Sequence, residues 1–393
     1  AAPRIAEVSD ADIPDASGFE IIGSAADADA QIFVPPDYFM CDDCRRELHD
    51  PADRRHNYPF INCTQCGPRY TLIEALPYDR PNTSMANFPL CPECEAEYLD
   101  PGNRRFHAEP VACSACGPQL SFARSNDALA GAVDAIRAGD IVAVKGIGGY
   151  HLVCDACNDT AVARLRERKR RPDKPLAVMF PVAGSDGLDV ASRYVEFDPV
   201  EAEIVRGPMR PIALATRRHD GGLAPGVAPG LGEIGVFLPY SPLHELLLAA
   251  VEGPIVVTSG NISGEPVLTD NDEAARRLAP IADAFLQHDR PIVRPADDPV
   301  FRRIDGAMRP IRIGRGCAPR ELELPWTVAV PKLAVGGHMK GTLSLAWGLR
   351  VVVSPHIGDM DSARSLDVFE QVAQDLQSLY GVQAQRIVRD ANP

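Results

Sequence analysis

Eight cysteines in four Cys-x-x-Cys pairs are the residues whose types and spacing point most directly to chemistry. Eighteen residues separate the first two pairs, eighteen separate the last two, and the second unit lies fifty residues after the first. The flanking Asp-Pro, Arg-Arg and Gly-Pro dipeptides recur at the same offset of fifty residues, which indicates a duplicated unit. The four pairs are Cys41 and Cys44, Cys63 and Cys66, Cys91 and Cys94, and Cys113 and Cys116.

This spacing predicts two structural zinc sites. Two residues between cysteines let one tight turn direct both sulfurs at one ion, and a second pair completes a tetrahedral shell of four thiolates. Because a filled shell leaves no position for a substrate, we expect each Zn²⁺ to stabilise the fold rather than to take part in catalysis. Disulfides or free thiols are the alternative. Pairing within each unit is the simpler arrangement, and an interleaved arrangement stays open.

A basic segment at residues 164–174 is the second candidate. Seven of its eleven residues are Lys or Arg, although the chain has a net charge of −14. Lysine offers a point charge and arginine a bidentate fork, which suits a polyphosphate; a solvated helix end is the alternative. A buried strand then leads into a turn at residues 257–264 (VTSGNISG). Its backbone N–H groups and hydroxyls can hold an anion, but an ordinary strand-end turn has the same composition.

Two weaker signals complete the candidates. The glycines that follow Lys145 (KGIGG, residues 145–149) match neither common phosphate-loop pattern. Seven arginines between residues 290 and 315 surround Asp297 and Asp298. On adjacent strands these arginines could close over a triphosphate while the aspartates hold Mg²⁺, whereas ion pairs between strands are the alternative.

Hydrophobic patterning places the later candidates in an α/β (α+β) fold. Apolar runs predict strands at residues 141–144, 176–180, 212–215, 234–238, 255–258, 292–294, 300–304 and 308–313. Helical spacing predicts helices at residues 129–136, 160–169, 242–251 and 271–278.

Changes in composition divide the chain into five segments. We expect a lead-in at 1–36, a tandem four-cysteine zinc-finger module at 37–120, an α/β domain at 121–318, a proline-containing linker at 319–331 and a second α/β segment at 332–393. In the last segment the pattern predicts a hairpin, formed by residues 343–347 and 351–353, and a helix that Gly381 ends. These elements bury little core alone, so we interpret them as the start of a domain.

The bulk composition excludes several classes of protein. We find no apolar run of about 18 residues and no signal peptide, which predicts a soluble protein without a membrane partner. Zinc-type cysteines without a disulfide framework favour the cytoplasm. The acidic balance argues against nucleic-acid binding, which needs a basic surface against phosphate.

Several stretches together resemble the HypF family of carbamoyltransferases, which act in [NiFe]-hydrogenase maturation. The resemblance covers about residues 35–393. The matching stretches are residues 58–70 (YPFINCTQCGPRY), 77–80 (PYDR), 104–113 (RRFHAEPVAC), 145–151 (KGIGGYH), 169–176 (KRRPDKPL), 258–264 (TSGNISG), 297–300 (DDPV), 339–342 (MKGT) and 354–359 (SPHIGD).

This resemblance implies a fold and a set of site residues. Residues 126–318 resemble the twisted-sheet YrdC-type domain of enzymes that make threonylcarbamoyl-adenylate, and the tail resembles the start of an ASKHA-like carbamoyl-transfer domain. By position, Lys169 and Arg171 match the basic pair of the YrdC-type domain and are the implied catalytic residues. The residues expected to bind ATP are Lys145, Lys169, Arg171, Ser259, Asn261, Arg294, Arg309 and Arg315.

The resemblance also implies a reaction. The family uses ATP and carbamoyl phosphate, makes carbamoyl-adenylate in the YrdC-type domain, and passes the carbamoyl group to the C-terminal cysteine of HypE. We expect this chain to lack the family's N-terminal acylphosphatase domain and most of its transfer domain. It should therefore activate carbamate but need a complete tail for transfer. The competing functions are a tRNA-modifying threonylcarbamoyl-adenylate enzyme and a non-catalytic zinc scaffold.

Overall fold

The computed structural model describes residues 33–218 and 221–391, so the predicted lead-in at 1–36 lies almost wholly outside the described residues. The α-helices in the described part are α1 Asp42–His49, α2 Pro92–Leu99, α3 Ala128–Arg137, α4 Asp159–Lys169, α5 Pro199–Arg206, α6 Pro242–Val251, α7 Asn271–Leu278 and α8 Ala363–Tyr380. The strands are β1 Leu120–Phe122, β2 Val142–Lys145, β3 Tyr150–Asp155, β4 Val178–Met179, β5 Val195–Glu196, β6 Ile212–Arg217, β7 Glu233–Phe237, β8 Ile255–Ser259, β9 Ala284–His288, β10 Val300–Ile304, β11 Ala307–Arg312, β12 Arg320–Ala334, β13 Ser344–Val353 and β14 Arg386–Val388.

A mixed sheet forms the centre of the molecule. Its strand order is β1-β9-β2-β3-β8-β4-β7-β6-β10-β11, and β5 pairs with β6 at the side. Strands β2 and β9 are parallel, whereas β3 runs antiparallel to both β2 and β8. The carboxyl ends of β9, β2 and β8 therefore lie at one edge of the sheet, the kind of edge at which α/β proteins bind ligands.

Helices cover both faces of this sheet. Along β2, Ala143 packs into one apolar cluster while Val142 and Val144 pack into another, as the period-two alternation of a strand requires. Buried side chains of α4, α5 and α7 belong to the first cluster, and those of α3 and α6 belong to the second. The fold class predicted from the sequence, an α/β sheet preceded by a zinc-finger module, is confirmed.

The cysteine-rich module packs directly on the sheet domain. Its own core is small, and it is completed by Leu246 of α6. A backbone hydrogen bond from Val293 to the carbonyl of Thr71 joins the two parts at 2.9 Å. The module therefore forms one wall of any site that opens at its boundary with the sheet.

The segment predicted as a linker is instead the long strand β12, so that interpretation was wrong. Strand β12 lies between β13 and β14 in a separate three-stranded sheet. Two shifts in its register with β13 fall between Glu323 and Val328 and between Val328 and Lys332, and they contain Pro325 and Pro331. Proline donates no ladder hydrogen bond and is tolerated at such irregularities. The prolines interrupt the ladder without ending the strand.

Other predicted elements differ in detail. The two predicted tail strands are one strand, β13, which forms a hairpin with β12. The elements that were not predicted are strands β1, β3, β5, β9 and β14 and helices α1, α2 and α5, and the predicted strand at 292–294 is not formed. Within the described residues, none of the helices combines the length and the apolar character needed to cross a membrane.

Candidate functional site

The two cysteine units have the same backbone arrangement. Cys41 is the N-cap residue of α1 and Cys91 is the N-cap residue of α2, so each first pair lies at the start of a helix. Within each second pair, the N–H of the later cysteine bonds to the carbonyl of the earlier one. A helix start therefore faces a tight turn in both units, and this geometry gathers four sulfurs.

The sulfur spacing fits zinc rather than disulfides. In the first unit the Sγ–Sγ distances are 3.7, 3.8 and 3.6 Å, and the second unit repeats the same three values. A disulfide would need about 2.0 Å. Four thiolates placed tetrahedrally about 2.3 Å from Zn²⁺ would lie about 3.8 Å apart. The clusters form within the units, so the interleaved arrangement is excluded; they comprise Cys41, Cys44, Cys63 and Cys66, and Cys91, Cys94, Cys113 and Cys116.

The arginines around the clusters are exchanged between the units although the cysteines are not. Arg104 of the second unit donates to Cys44 Sγ at 3.1 Å and to Glu47 at 2.6 Å. In return, Arg54 of the first unit donates to Cys94 Sγ at 3.2 Å and to Glu97 at 2.7 Å. A four-thiolate zinc centre carries net negative charge, so each unit places a cation beside the other unit's sulfurs. The Arg-Arg dipeptides of the repeat have this structural explanation.

The predicted basic pair, Lys169 and Arg171, and the turn that contains Ser259 and Asn261 meet at the carboxyl end of β8. Lys169 is the last residue of α4 and is only 4% exposed. Its Nζ donates to the carbonyl of Ser259 at 2.5 Å, to the carbonyl of Asn261 at 3.1 Å and to Asn261 Oδ1 at 2.8 Å. The Ser259 hydroxyl also donates to Asn261 Oδ1, at 2.8 Å. Lys169 thus holds the turn in shape.

The electrostatics of this turn follow from burial. Removal from water lowers the pKa of Lys169 to about 7, and the neighbouring Arg171 contributes to that lowering, because both disfavour the charged amine. Burial, together with Arg166 and Arg312, lowers the pKa of Arg171 to about 10. These cations lie close together with one carboxylate, Asp297, near them, so the site keeps excess positive charge that favours an anion.

Arg171 lies beside Lys169 and continues the cationic surface. Its Nε and Nη2 bind the carbonyls of Lys174 and Pro175, which leaves its third nitrogen for a ligand. Arg312 and Lys340 lie within electrostatic range of Lys174, whose pKa burial lowers. The sequence did not assign Lys340 to this site. It stands in a loop far along the chain, and its only signal was the MKGT motif.

The tail supplies another wall of this region. The His356 N–H bonds to the carbonyl of Ile313 at 3.0 Å, and His356, Asp297 and Val267 line a small cavity between the tail and the sheet domain. Asp297 is in turn an electrostatic neighbour of Lys169 and Arg171. The candidate nucleotide site therefore lies beside the junction of the two α/β segments.

Three predicted ATP-binding arginines are not gathered around the turn. Arg294 and Arg315 are each 2% exposed. Arg294 pairs with Asp375 at 2.9 Å, whereas Arg315 binds Asp298 at 2.7 Å and lies over the ring of Tyr240. Their guanidinium groups are held by the protein, so we assign both a structural role.

Arg309 and the predicted magnesium ligands also differ from expectation. Arg309 is exposed on β11, the outermost strand, which is five strands from β8 in the sheet order. Asp298 is 4% exposed and accepts from Arg315 and bonds with His151 at 3.1 Å. It is not open to an ion. Asp297 pairs with Arg312 at 2.9 Å and is the one carboxylate of the pair left near the site.

Lys145 ends β2, two strands away from Ser259. Its Nζ donates to the carbonyl of His288 at 3.1 Å, and the side chain is 3% exposed. The glycines after it serve packing, because a Cβ on Gly148 would come within 2.2 Å of the carbonyl oxygen of Ala296. Lys145 lines a cavity whose walls include none of Lys169, Ser259 and Asn261.

Known families match successive parts of the chain. The family described as HypF finger matches residues 40–73 and 90–123, the Sua5, YciO and YrdC family described as Telomere recombination matches 134–314, and the HypF Kae1-like domain matches 328–393. These matches follow the order of the module, the large sheet and the tail.

Relatives match across nearly the whole chain. Carbamoyltransferase HypF of Synechocystis sp. (strain ATCC 27184 / PCC 6803 / Kazusa) is 49% identical over 380 residues, which cover 95% of this chain and 49% of the relative. Carbamoyltransferase HypF2 of Cupriavidus necator is 46% identical over 407 residues, which cover 96% of this chain and 49% of the relative.

A crystal structure of full-length HypF in the phosphate- and nucleotide-bound form superposes with a TM-score of 0.87 at 44% identity. The match covers 91% of this chain and 47% of that one. This chain thus spans about half the length of the curated relatives it matches. The three families in series, the identity and the superposition agree, and the chain belongs to the HypF carbamoyltransferase family.

Proposed function

We propose that this chain carries out the ATP-dependent activation step of a carbamoyltransferase in [NiFe]-hydrogenase maturation. The substrates would be ATP and carbamate derived from carbamoyl phosphate, and the final acceptor would be the C-terminal cysteine of HypE. The observation that carries the proposal is the contact of buried Lys169 with both Ser259 and Asn261, beside Arg171.

The proposed step is adenylation. A carboxylate oxygen of carbamate attacks the α-phosphorus of ATP, an O–P bond forms, and the bond to the bridging oxygen breaks. Pyrophosphate leaves with the electron pair, and carbamoyl-adenylate remains. Charge builds on the phosphoryl oxygens during attack, and preorganised cations and donors stabilise that charge. No covalent enzyme intermediate is required.

The residues of the site have distinct roles in this proposal. Lys169 fixes the turn, since its Nζ already contacts three protein oxygens. Arg171 and Lys174 offer charge to the triphosphate from the segment after α4. Asp297 is the carboxylate best placed to support a Mg²⁺ carried by the phosphates, and the two zinc ions would stabilise the fold of the cysteine-rich module.

Transfer to HypE makes a separate demand. Carbamoyl-adenylate is hydrolysed by water, so its path to the thiol must be enclosed. We propose that activation depends on Lys169, Arg171 and Lys174 together with the turn formed by Ser259 and Asn261, all within the large sheet domain. Transfer would need more of the Kae1-like domain than the 66 residues that match here.

Exchange of labelled pyrophosphate into ATP tests the activation step. The purified chain should catalyse exchange when carbamoyl phosphate and a separate acylphosphatase are supplied. The exchange rate of the Lys169→Ala, Arg171→Ala double variant should be at least about tenfold lower, because two charge-assisted contacts are each worth roughly 1.5–3 kcal/mol. Arg193→Ala is the matched control, since Arg193 is exposed. Exchange that needs threonine and bicarbonate would instead support the tRNA-modification function. No exchange with either substrate would leave the zinc-scaffold function.

A further inference from the structure

A cavity lined by two cations lies where the cysteine-rich module meets the sheet. Its walls are mostly apolar and come from both parts, with Met40, Phe60 and Ile61 on one side and Ile147 and Leu243 on the other. The charged side chains that line it are Lys145 and Arg290.

Neither cation has a carboxylate partner within residues 33–218 and 221–391. Lys145 is 3% exposed, and the acceptor of its Nζ is the uncharged carbonyl of His288. Arg290 is 5% exposed, and its Nε has no hydrogen-bond partner. The ring of Phe60, 5.1 Å from the guanidinium carbon, gives Arg290 a weak cation–π contact.

Two buried cations without a direct ion pair are costly in an apolar cavity, although Asp289 lies within electrostatic range of both. Burial, followed by the charge of Arg290, lowers the pKa of Lys145 to about 8, and burial lowers the pKa of Arg290 to about 10. A buried charge normally has a partner, because desolvation of an unpaired ion disfavours the fold. The missing partner in this cavity would be an anion.

The position of the cavity relates it to the proposed reaction. Lys145, His288 and Ser259 are the last residues of β2, β9 and β8, whose carboxyl ends share one edge of the sheet. One strand, β3, separates β2 from β8, so Lys145 and Ser259 lie about 10 Å apart across the sheet. The cavity is therefore a neighbour of the Lys169 turn but is not part of it.

We propose that Lys145 and Arg290 form a second anion subsite, which takes a small carboxylate-like oxyanion of the carbamate or bicarbonate class and not the nucleotide triphosphate. This proposal rests on the proposed adenylation, which brings two anionic substrates to one place. Holding them in two separate subsites would offset their mutual repulsion and orient the carboxylate for attack.

Binding of bicarbonate, a stable probe of this class, tests the subsite without turnover. We expect bicarbonate to raise the melting temperature of the zinc-loaded chain relative to an equal concentration of chloride. Arg290→Met and Lys145→Met should each raise the bicarbonate concentration that gives half of this effect at least tenfold. In the same variants, the ATP concentration that gives half of the stabilisation by ATP should stay within about twofold of the wild-type value. Arg290→Met should itself raise the melting temperature without ligand, because it removes an unpaired buried charge; Arg290→Lys should retain bicarbonate binding.

Arg210→Met is the matched control. Arg210 is also buried and also has nitrogens without a partner, but it lies over Phe39 and does not line the cavity. Its variant should keep the bicarbonate effect. An unchanged bicarbonate midpoint in Arg290→Met would overturn the subsite, and an equal loss of ATP and orthophosphate binding would assign the cavity to the triphosphate instead. The two proposals can also fail separately. If only the cavity variants lose the bicarbonate effect while the wild-type chain shows no pyrophosphate exchange, the subsite is retained and the adenylation is rejected.

Discussion

Lys169 shows how one residue can couple the site to the stability of the fold. Its pKa of about 7 lies well below the usual 10.5. Between these values the unfolded chain binds more protons than the folded chain, so this residue makes stability rise with pH. Below about pH 7 the amine is charged in both states, and the full cost of burying that charge is present.

A Lys169→Met variant should lose this dependence. We expect the stability of the wild type, relative to the variant, to increase between about pH 7 and pH 10, with no trend below pH 7. Urea denaturation at several pH values measures the difference. Arg276→Met is the control, because Arg276 is exposed on α7. Parallel pH profiles for the wild type and Lys169→Met would contradict the assigned protonation.

The exchanged arginines make a prediction about the metal centres. Arg104→Gln should speed zinc loss from the cluster of Cys41, Cys44, Cys63 and Cys66, although Arg104 belongs to the second unit. Loss of a hydrogen bond to a charged sulfur is worth roughly 1.5–3 kcal/mol, or about tenfold or more in affinity. Replacing zinc with ¹¹³Cd and following its NMR signals under a chelator separates the two sites.

Arg54→Gln is the reciprocal variant, and it should weaken the cluster of the second unit. Arg46→Gln is a control, because Arg46 is exposed and pairs only locally with Asp43. If each arginine variant weakened the cluster of its own unit, the exchange seen in the structure would not stabilise the metals.

Strand β12 offers a test of how proline acts inside a paired strand. Lys332 pairs with Ala346 on one side and Arg386 on the other, whereas Pro325 lies in a gap of the ladder. We expect Pro325→Ala to change the free energy of unfolding by less than about 1 kcal/mol. Lys332→Pro should cost about 3 kcal/mol or more, because it places proline in a paired central strand. Denaturation of both variants measures the contrast, and similar costs would show that the register gap does not explain the prolines.

Sequence patterns predicted elements with a clear local signal and missed those defined by their neighbours. The apolar run of β8 and the helical spacing of α6 were sufficient by themselves. Strand β3 was missed because glycines precede it, and its pairing with β2 and β8 determines its conformation. The prolines of β12 were interpreted as a linker because the sequence of one strand does not show its register with a partner. The register shifts that accommodate these prolines depend on both β12 and β13.

The proximity of site residues in compact motifs could likewise be predicted, whereas roles that depend on distant partners could not. Lys169, Ser259 and Asn261 lie in compact motifs, and the structure brings them together. For Arg294 and Arg315 the sequence supplied charge but no partner. Whether an arginine is available to a ligand depends on distant residues such as Asp375 and Asp298, and on the folded arrangement that pairs them.

Arg294 joins three parts of the chain. From the loop after β9 it donates to the carbonyl of Ile73 in the cysteine-rich module and pairs with Asp375 of α8. Tyr70 adds a cation–π contact at 5.5 Å. Module, sheet and tail are therefore expected to unfold together and to hold the nucleotide region as one unit.

Asp375→Ala tests this junction. It leaves the Arg294 charge buried and unpaired, and we expect a loss of about 1–3 kcal/mol. This is less than the roughly 3–5 kcal/mol of a fully buried pair, because the carboxylate is partly exposed. Adding Arg294→Met should recover most of the loss in chemical denaturation. An unchanged midpoint for Asp375→Ala would show that this ion pair does not hold the tail against the rest of the molecule.

The proposed activation requires that a single edge of the sheet holds the nucleotide. A crystal structure of the zinc-loaded chain with a non-hydrolysable ATP analogue and bicarbonate tests this directly. We predict the triphosphate within hydrogen-bond distance of Arg171 and of the turn formed by Ser259 and Asn261, with separate density between Lys145 and Arg290. A triphosphate bound elsewhere, with the Lys169 turn unliganded at saturating nucleotide, would contradict the assignment of this edge as the nucleotide site.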